Sequence, residues 1–255
     1  MQRKKKGKNP TNLLVFAGFV FCLTVALFQK YELHALKLDN EHFQKRSLSE
    51  DTRLKENLAV VRNSPTLGFQ NLWAGSTFLS FLQYFSDVST QVNADKHLSP
   101  EFFEAIITFD PYYRDYYLFL SGSTTFHAAQ PERSVELIAR GLKQIDPTQV
   151  SDSFYIWRYK GSDELLFLGD SQSARESFEK AALWAHQSQD PHSELVGKAS
   201  KQTAEFLRLD PDSRYAQISA WHSIWANAVN DEIKQEAAER IQELSSVDSD
   251  REEED

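Results

Sequence analysis

Gly169-Asp170-Ser171-Gln172-Ser173-Ala174-Arg175-Glu176-Ser177-Phe178-Glu179-Lys180-Ala181 is the stretch that decides the fold. Ala174, Phe178 and Ala181 follow one another at steps of four and three. On a helix that spacing puts a small, a large and a small side chain on one face. The two alanines let a neighbouring helix come close, and the phenylalanine fills the space between them. The stretch therefore predicts one arm of a helical hairpin, packed tightly against its neighbours.

The same punctuation repeats on either side. Asp110-Pro111, Asp146-Pro147, Asp190-Pro191 and Asp210-Pro211 each offer a helix-capping residue followed by a residue suited to the first helical turn. Between these marks helical spacing predicts paired helices over 69–85 and 100–109, 112–128 and 131–145, 153–168 and 171–186, and 214–228 and 232–244. An extra helix is predicted over 193–209. The units that follow Asp110-Pro111 and Asp210-Pro211 share one layout: a helix of about 17 residues, a short turn, then a second helix. Alternating apolar and polar runs of strand length are hard to find, so the fold class read here is all-α.

The segment from Gly169 to Ala181 resembles the second helix of a tetratricopeptide repeat. The first two Asp-Pro marks lie 36 residues apart (146 minus 110), near the period of about 34 residues of such repeats. The resemblance covers roughly Asp110 to Leu244 and implies a solenoid of α-α hairpins that binds other proteins. It departs from the family at Val135, where a small residue is usual. The expected Trp, Leu-Gly and Tyr positions of first helices are not cleanly filled. A second, looser resemblance rests on Gly68-Phe69-Gln70-Asn71-Leu72-Trp73 and Phe81-Leu82-Gln83-Tyr84-Phe85, which are similar to the opening of membrane-anchored helical proteins of cyanobacteria. It implies a bacterial plasma membrane or a thylakoid.

The chain of 255 residues has room for one substantial domain with appendages, and its 41% hydrophobic residues suffice for a core. Eighteen Phe, nine Tyr and five Trp against a single Met give that core large, rigid side chains. The net charge of -9 is uneven. Arg3, Lys4, Lys5, Lys6 and Lys8 make the first twelve residues basic and leave a strongly acidic remainder, which repels a nucleic-acid backbone. Cys22 is the only cysteine, so neither an internal disulfide nor a cysteine-rich metal site can form.

Leu13 to Phe28 carries no charge. As a helix these residues rise about 24 Å, and the interfacial residues to Lys30 bring the span near the roughly 30 Å of a hydrocarbon core. Residues 13–30 are expected to form a transmembrane helix, preceded by a basic cytoplasmic tail at 1–12 under the positive-inside rule. A cleaved signal peptide is the rival reading, but no small-x-small site follows the run closely. Residues 31–66 read as a partly helical stalk, 67–245 as the helical repeat domain and 246–255 as an acidic disordered tail. The body would then lie in the periplasm or a lumen.

First helices of such repeats line the groove, so Arg114, Tyr117, Arg158 and Lys160 are the partner-binding candidates. Tyr112, Tyr113, Tyr116 and Tyr117 form two pairs four residues apart, one expected on the neighbouring helix and the other on the groove or toward solvent. The aromatic residues between Phe69 and Phe85 could line a partner groove, lean on the bilayer or pack against 100–109. The seven His are scattered, and no metal-ligand spacing joins them. No nucleophile elbow, phosphate loop or dinucleotide fingerprint occurs, and Asp163-Glu164 is one acidic pair among 37 carboxylates. No catalytic residue, cofactor or metal is expected. The function expected is a membrane-anchored scaffold or assembly factor that binds a membrane-associated protein. Two alternatives stand beside it: a structural subunit of a larger membrane complex, marked by a large exposed aromatic patch, and a helical enzyme, marked by carboxylates converging in a cleft.

Overall fold

The structure is a computed structural model that describes residues 21, 23–25, 43–90 and 98–252. Among these residues there are only helices, turns and loops, without a strand. No helix among them is long and apolar enough to cross a membrane. The span expected at 13–30 lies outside the described residues apart from Phe21 and 23–25, which are helical, and the basic tail lies wholly outside them. Residues 51–255 form one compact unit.

That unit begins earlier than Leu67. Helix α1 (Phe43–Arg62) carries Leu54, Leu58 and Val61 at a spacing that aligns them on one face. Leu58 is a buried core residue, with Leu54 and Val61 packed against the same cluster. The half of the expected stalk nearest the domain is therefore part of the core: three apolar residues in register outweigh the charges between them.

Helices α2 (Gln70–Thr90) and α3 (Ser99–Phe109) pack on each other through aromatic rings. Phe81 meets Phe103 edge-on at 4.7 Å and Phe102 at 5.8 Å, the geometry that ring quadrupoles favour. Helix α4 (Arg114–Leu120) continues into a π-helical segment, Ser121–His127, and α5 (Pro131–Leu142) turns back from it. Glu104 of α3 anchors this half electrostatically, bonded by Arg62 of α1 at 2.5 Å and by Arg133 and Arg140 of α5 at 3.1 and 2.9 Å. Burial pushes the Glu104 carboxyl upward, but the three guanidinium groups outweigh it and hold the group below its usual value.

The second half is built from closer approaches. Helix α6 (Phe154–Leu166) leads through a tight turn into α7 (Ser171–His186). Gly169 takes φ +66° in that turn, and the Asp170 carboxylate accepts from the Ser173 N–H at 2.9 Å, capping α7. Ala174 and Ala181 are fully buried and Phe178 nearly so, as the opening stretch predicts. A Cβ on Gly161 of α6 would meet the Phe178 ring at 3.1 Å, and one on Gly197 of α8 (Ser193–Leu207) would meet the Ala185 Cβ at 3.0 Å. The three helices are thus spaced by their small residues.

The last hairpin, α9 (Arg214–Asn227) and α10 (Asp231–Glu252), buries Trp221, Ile224, Ile233 and Ala237 together. Its partners are Phe126 and Ala129, at the end of the π-helical segment, and Phe167 beyond α6. The hairpin therefore packs back past α8 instead of simply extending a stack from it. Helix α10 runs to Glu252, so residues 246–252 are helical where a disordered tail is expected. No Gly or Pro interrupts that stretch, and extending a helix already nucleated is easy compared with starting one.

The π-helical segment is the main local surprise. Ser121, Ser123, Thr124 and Thr125 offer hydroxyls that compete with regular helical bonding. Ser121 and Thr125 turn their hydroxyls across to α6, and the widened turn keeps both in reach of one carboxylate there.

Candidate functional site

The four groove candidates fall into four different environments. Tyr117 is fully buried, and its hydroxyl donates to the Pro111 carbonyl at 2.7 Å. Its ring lies against Gly141, where an added Cβ would sit 2.1 Å from the Tyr117 Oη. Burial raises the phenol well above its usual range. Tyr117 is a core residue, not a groove residue. The cause lies at Asp110, whose carboxylate accepts from the Tyr112 N–H at 3.0 Å and holds an extended turn, so that helix begins only at Arg114. Tyr112 and Tyr113 stay outside it and exposed, while Tyr116 and Tyr117 turn inward.

Arg114 is half-buried and bonded to Asp115, with Asp152 at 3.5 Å and the Tyr155 ring beneath it. Arg158 donates to the Ser200 hydroxyl of α8 at 2.8 Å and lies over the Phe178 ring. Both are held by neighbouring elements of the fold. Lys160 lines a cavity. It pairs with Glu164 one helical turn on, donates to the Ser177 hydroxyl at 3.2 Å and rests near the Trp157 ring.

That cavity, of about 440 Å³, opens between α5, α6 and α7. Ala139, Leu142 and Trp157 form its apolar wall, and Ser173, Glu176, Ser177 and Lys180 project from one face of α7. Lys143 closes the end of α5. Glu164 behind the wall balances Lys160, and its other oxygen accepts from Ser177 at 2.6 Å. Lys143 and Lys180 form no ion pair among the described residues, and both are exposed. The arrangement offers two free ammonium groups, hydroxyls and an indole wall, which suit an acidic side chain next to an apolar one.

Sequence reasoning found Lys160 and missed Lys143, Lys180 and Trp157. The signal was available: 173, 176, 177 and 180 form one polar helix face beside the apolar face at 174, 178 and 181. The first-helix rule does not reach it, since the cavity opens toward the second helices of two adjacent pairs. Asp163 and Glu164 were also passed over, yet both are buried. The Asp163 oxygens accept from Ser121 at 2.8 Å, Thr125 at 2.8 Å and Ser134 at 2.9 Å. Burial outweighs these bonds and pushes the Asp163 carboxyl up to about 6. Both oxygens are saturated by hydroxyls, and Asp163 is not among the residues lining the cavity. Among the described residues no group of His, Cys, Asp or Glu could hold a metal ion. No family model, curated protein or solved structure matches the chain.

Proposed function

We propose that the chain is a membrane-anchored, tetratricopeptide-like scaffold or assembly factor that holds an acidic segment of a membrane-associated protein in the cavity between α5, α6 and α7. One observation carries this reading: among the described residues Lys143 and Lys180 form no ion pair, and they line a cavity walled by Trp157 and Leu142. Where Arg114, Arg158 and Lys160 are satisfied within the fold, these two ammonium groups are left for a partner. The ion pairs they would form are solvent-exposed, so they govern selectivity and encounter more than affinity, and the indole wall supplies the buried area. Anchoring through residues 13–30 would confine capture to partners at one membrane surface and raise their effective concentration there.

The test uses the full chain in detergent as bait against solubilised membranes, beside the Lys143→Glu, Lys180→Glu double variant. The native chain is expected to enrich a defined partner. The variant is expected to lose it with an unchanged melting temperature, because both side chains are exposed. Equal capture by the two baits, or capture by neither, would overturn the reading. A second reading, a structural subunit of a larger membrane complex, draws on the exposed apolar residues of α2, which bear on a different surface.

A further inference from the structure

Helix α2 exposes an apolar face. Phe69, just before its first turn, Leu72 and Leu79 are all more than half exposed, as is Leu67 in the preceding turn. Leu72 and Leu79 are seven residues apart and so share one side of the helix. Between them the exposed positions are Ser76 and, at the flanks, Gln70, Asn71, Ser80 and Gln83. No charged residue occurs from Asn63 to Ser86. The exposed positions of α7 include Glu176, Glu179 and Lys180, and those of α10 include Glu232, Lys234 and Glu239. A quarter of the chain is charged, and α2 carries one charge, Asp87, in its last turn, so the uncharged water-facing stretch before it calls for a different neighbour.

The strip widens through aromatic rings. Half-buried Phe78 meets exposed Phe119 of α4 edge-on at 5.2 Å and Tyr116 at 5.0 Å, and Tyr116 in turn meets exposed Tyr113 at 4.9 Å. Leucine and phenylalanine at the centre, tyrosine at the edge and uncharged amides and hydroxyls between them match the layered chemistry of a headgroup region. A protein interface of this size would be expected to set arginine among its aromatic anchors, and α2 carries no arginine.

We propose that the α2 face, centred on Leu72 and Leu79 with Phe119 beside it, rests in the headgroup layer of a lipid bilayer. The proposal rests on reading Leu13–Phe28 as an anchor. From Phe28 the 14 intervening residues reach at most about 50 Å before α1 begins at Phe43, so an anchored body stays close to the surface it would lie on. Two attachments then act on one chain: the anchor gives residence, and the α2 face fixes which side of the body meets the lipid. Each buried leucine adds only about 2 kcal/mol, too little to hold the body alone and enough to orient one already tethered.

The experiment uses the full chain reconstituted in phosphatidylcholine vesicles containing spin-labelled lipid. A bimane probe is placed at Cys22 in the native chain, at position 79 in Leu79→Cys with Cys22→Ser, and at position 183 in Leu183→Cys with Cys22→Ser. Leu183 is an exposed leucine of α7 and serves as the aqueous control. Loss of emission at 79, comparable with that at 22 and absent at 183, is the expected result. Leu72→Cys repeats the measurement should the first variant label poorly. Quenching at 22 without quenching at 79 or 72 overturns the proposal while leaving the anchor standing. No quenching at any position overturns both. A disulfide between two copies at position 79 of the unlabelled variant, with no quenching in the labelled one, overturns it in favour of a second copy, and protection of 79 only when solubilised membrane protein is added overturns it in favour of a protein partner.

Discussion

The α1–α5 half and the α6–α10 half solve the same problem in different ways. The first buries one continuous cluster from Leu58 to Ile145, joined by Ile156 of α6, to which Phe81, Phe102, Phe103, Ile106 and Tyr117 all belong. The second divides its apolar contacts between two small clusters, one around Ala174 and Phe178 and one around Trp221 and Ile233. Large rings interlock in three dimensions, so each depends on many others. Alanine and glycine instead set the distance between neighbouring helices, and each interface stands largely by itself, as in a repeat array. The interior of the second half is also more polar: Glu164, Ser177 and Ser200 are buried beside its alanines.

If the first half depends on its rings, Phe103→Ala should give the largest loss. Phe103 is fully buried against Phe81, and truncation of such a ring typically costs about 4 kcal/mol. Urea unfolding followed by circular dichroism measures the loss. Hydrogen exchange should show protection falling across α2 to α5 and far less in α8. An equal fall in α8 would mean that the two halves form one cooperative core, and the comparison would fail.

The corresponding weak point of the second half is polar. Lys160→Met removes the cation beside Glu164, whose side chain is only 4% exposed, and leaves it with Ser177. An uncompensated buried charge costs about 3 kcal/mol. The same urea series should show this, with recovery in Lys160→Met, Glu164→Met, where both charges are gone. Recovery separates the loss of a charge partner from the loss of packing.

The two halves were not equally legible. The bounds of α7, Ser171 and His186, follow from Asp170 as cap and from the Ala-Phe-Ala spacing, because small-residue packing between adjacent helices is a local pattern. The inward turn of Tyr117 depends on Gly141, twenty-four residues away, which leaves room for the ring. No periodicity within α4 contains that fact. The π-helical segment likewise exists because Asp163 draws hydroxyls from two other elements. Leu58 joined the core because α2 and α3 present rings to it, while its own segment reads as a charged stalk. Lys160 was found by its position on a first helix, but the two lysines that share its cavity belong to second helices and become neighbours only when α5 and α7 pack on α6.

Gly141 and Gly197 sharpen the contrast with a single methyl group each. In Gly141→Ala the new Cβ would lie 2.1 Å from the Tyr117 Oη. The ring must move and give up its bond to the Pro111 carbonyl, a loss of about 2 kcal/mol. In Gly197→Ala the new Cβ meets the Ala185 Cβ at 3.0 Å. That tight contact is set against a gain in helix propensity of about 1 kcal/mol, so stability should change little. Thermal melts of the two variants, side by side, test whether interlocked rings are less forgiving than spaced helices.

Asp163 sits where the halves join, on α6 but bonded by the π-helical segment and by α5, and it predicts the most specific effect. Its carboxyl is raised by burial to about 6 in the folded chain, against 3.8 for the ordinary group. The folded state therefore binds this proton more tightly than the unfolded state does. The resulting stabilisation is fully present below pH 3.8 and is lost as the pH rises through 6. Between pH 5 and pH 7 the loss amounts to about 1 kcal/mol. Glu104 acts in the opposite sense, because its depressed value stabilises above the ordinary carboxylate range and is lost only as the pH falls through it. The window from pH 5 to 7 thus excludes Glu104, and comparison with a variant at Asp163 is what assigns the change to this carboxylate. Urea midpoints at those two pH values should differ in the native chain and converge in Asp163→Asn, which cannot titrate. If the native midpoints already coincide, burial does not govern this carboxylate, and the seam between the halves is wetter than its hydroxyl bonds imply.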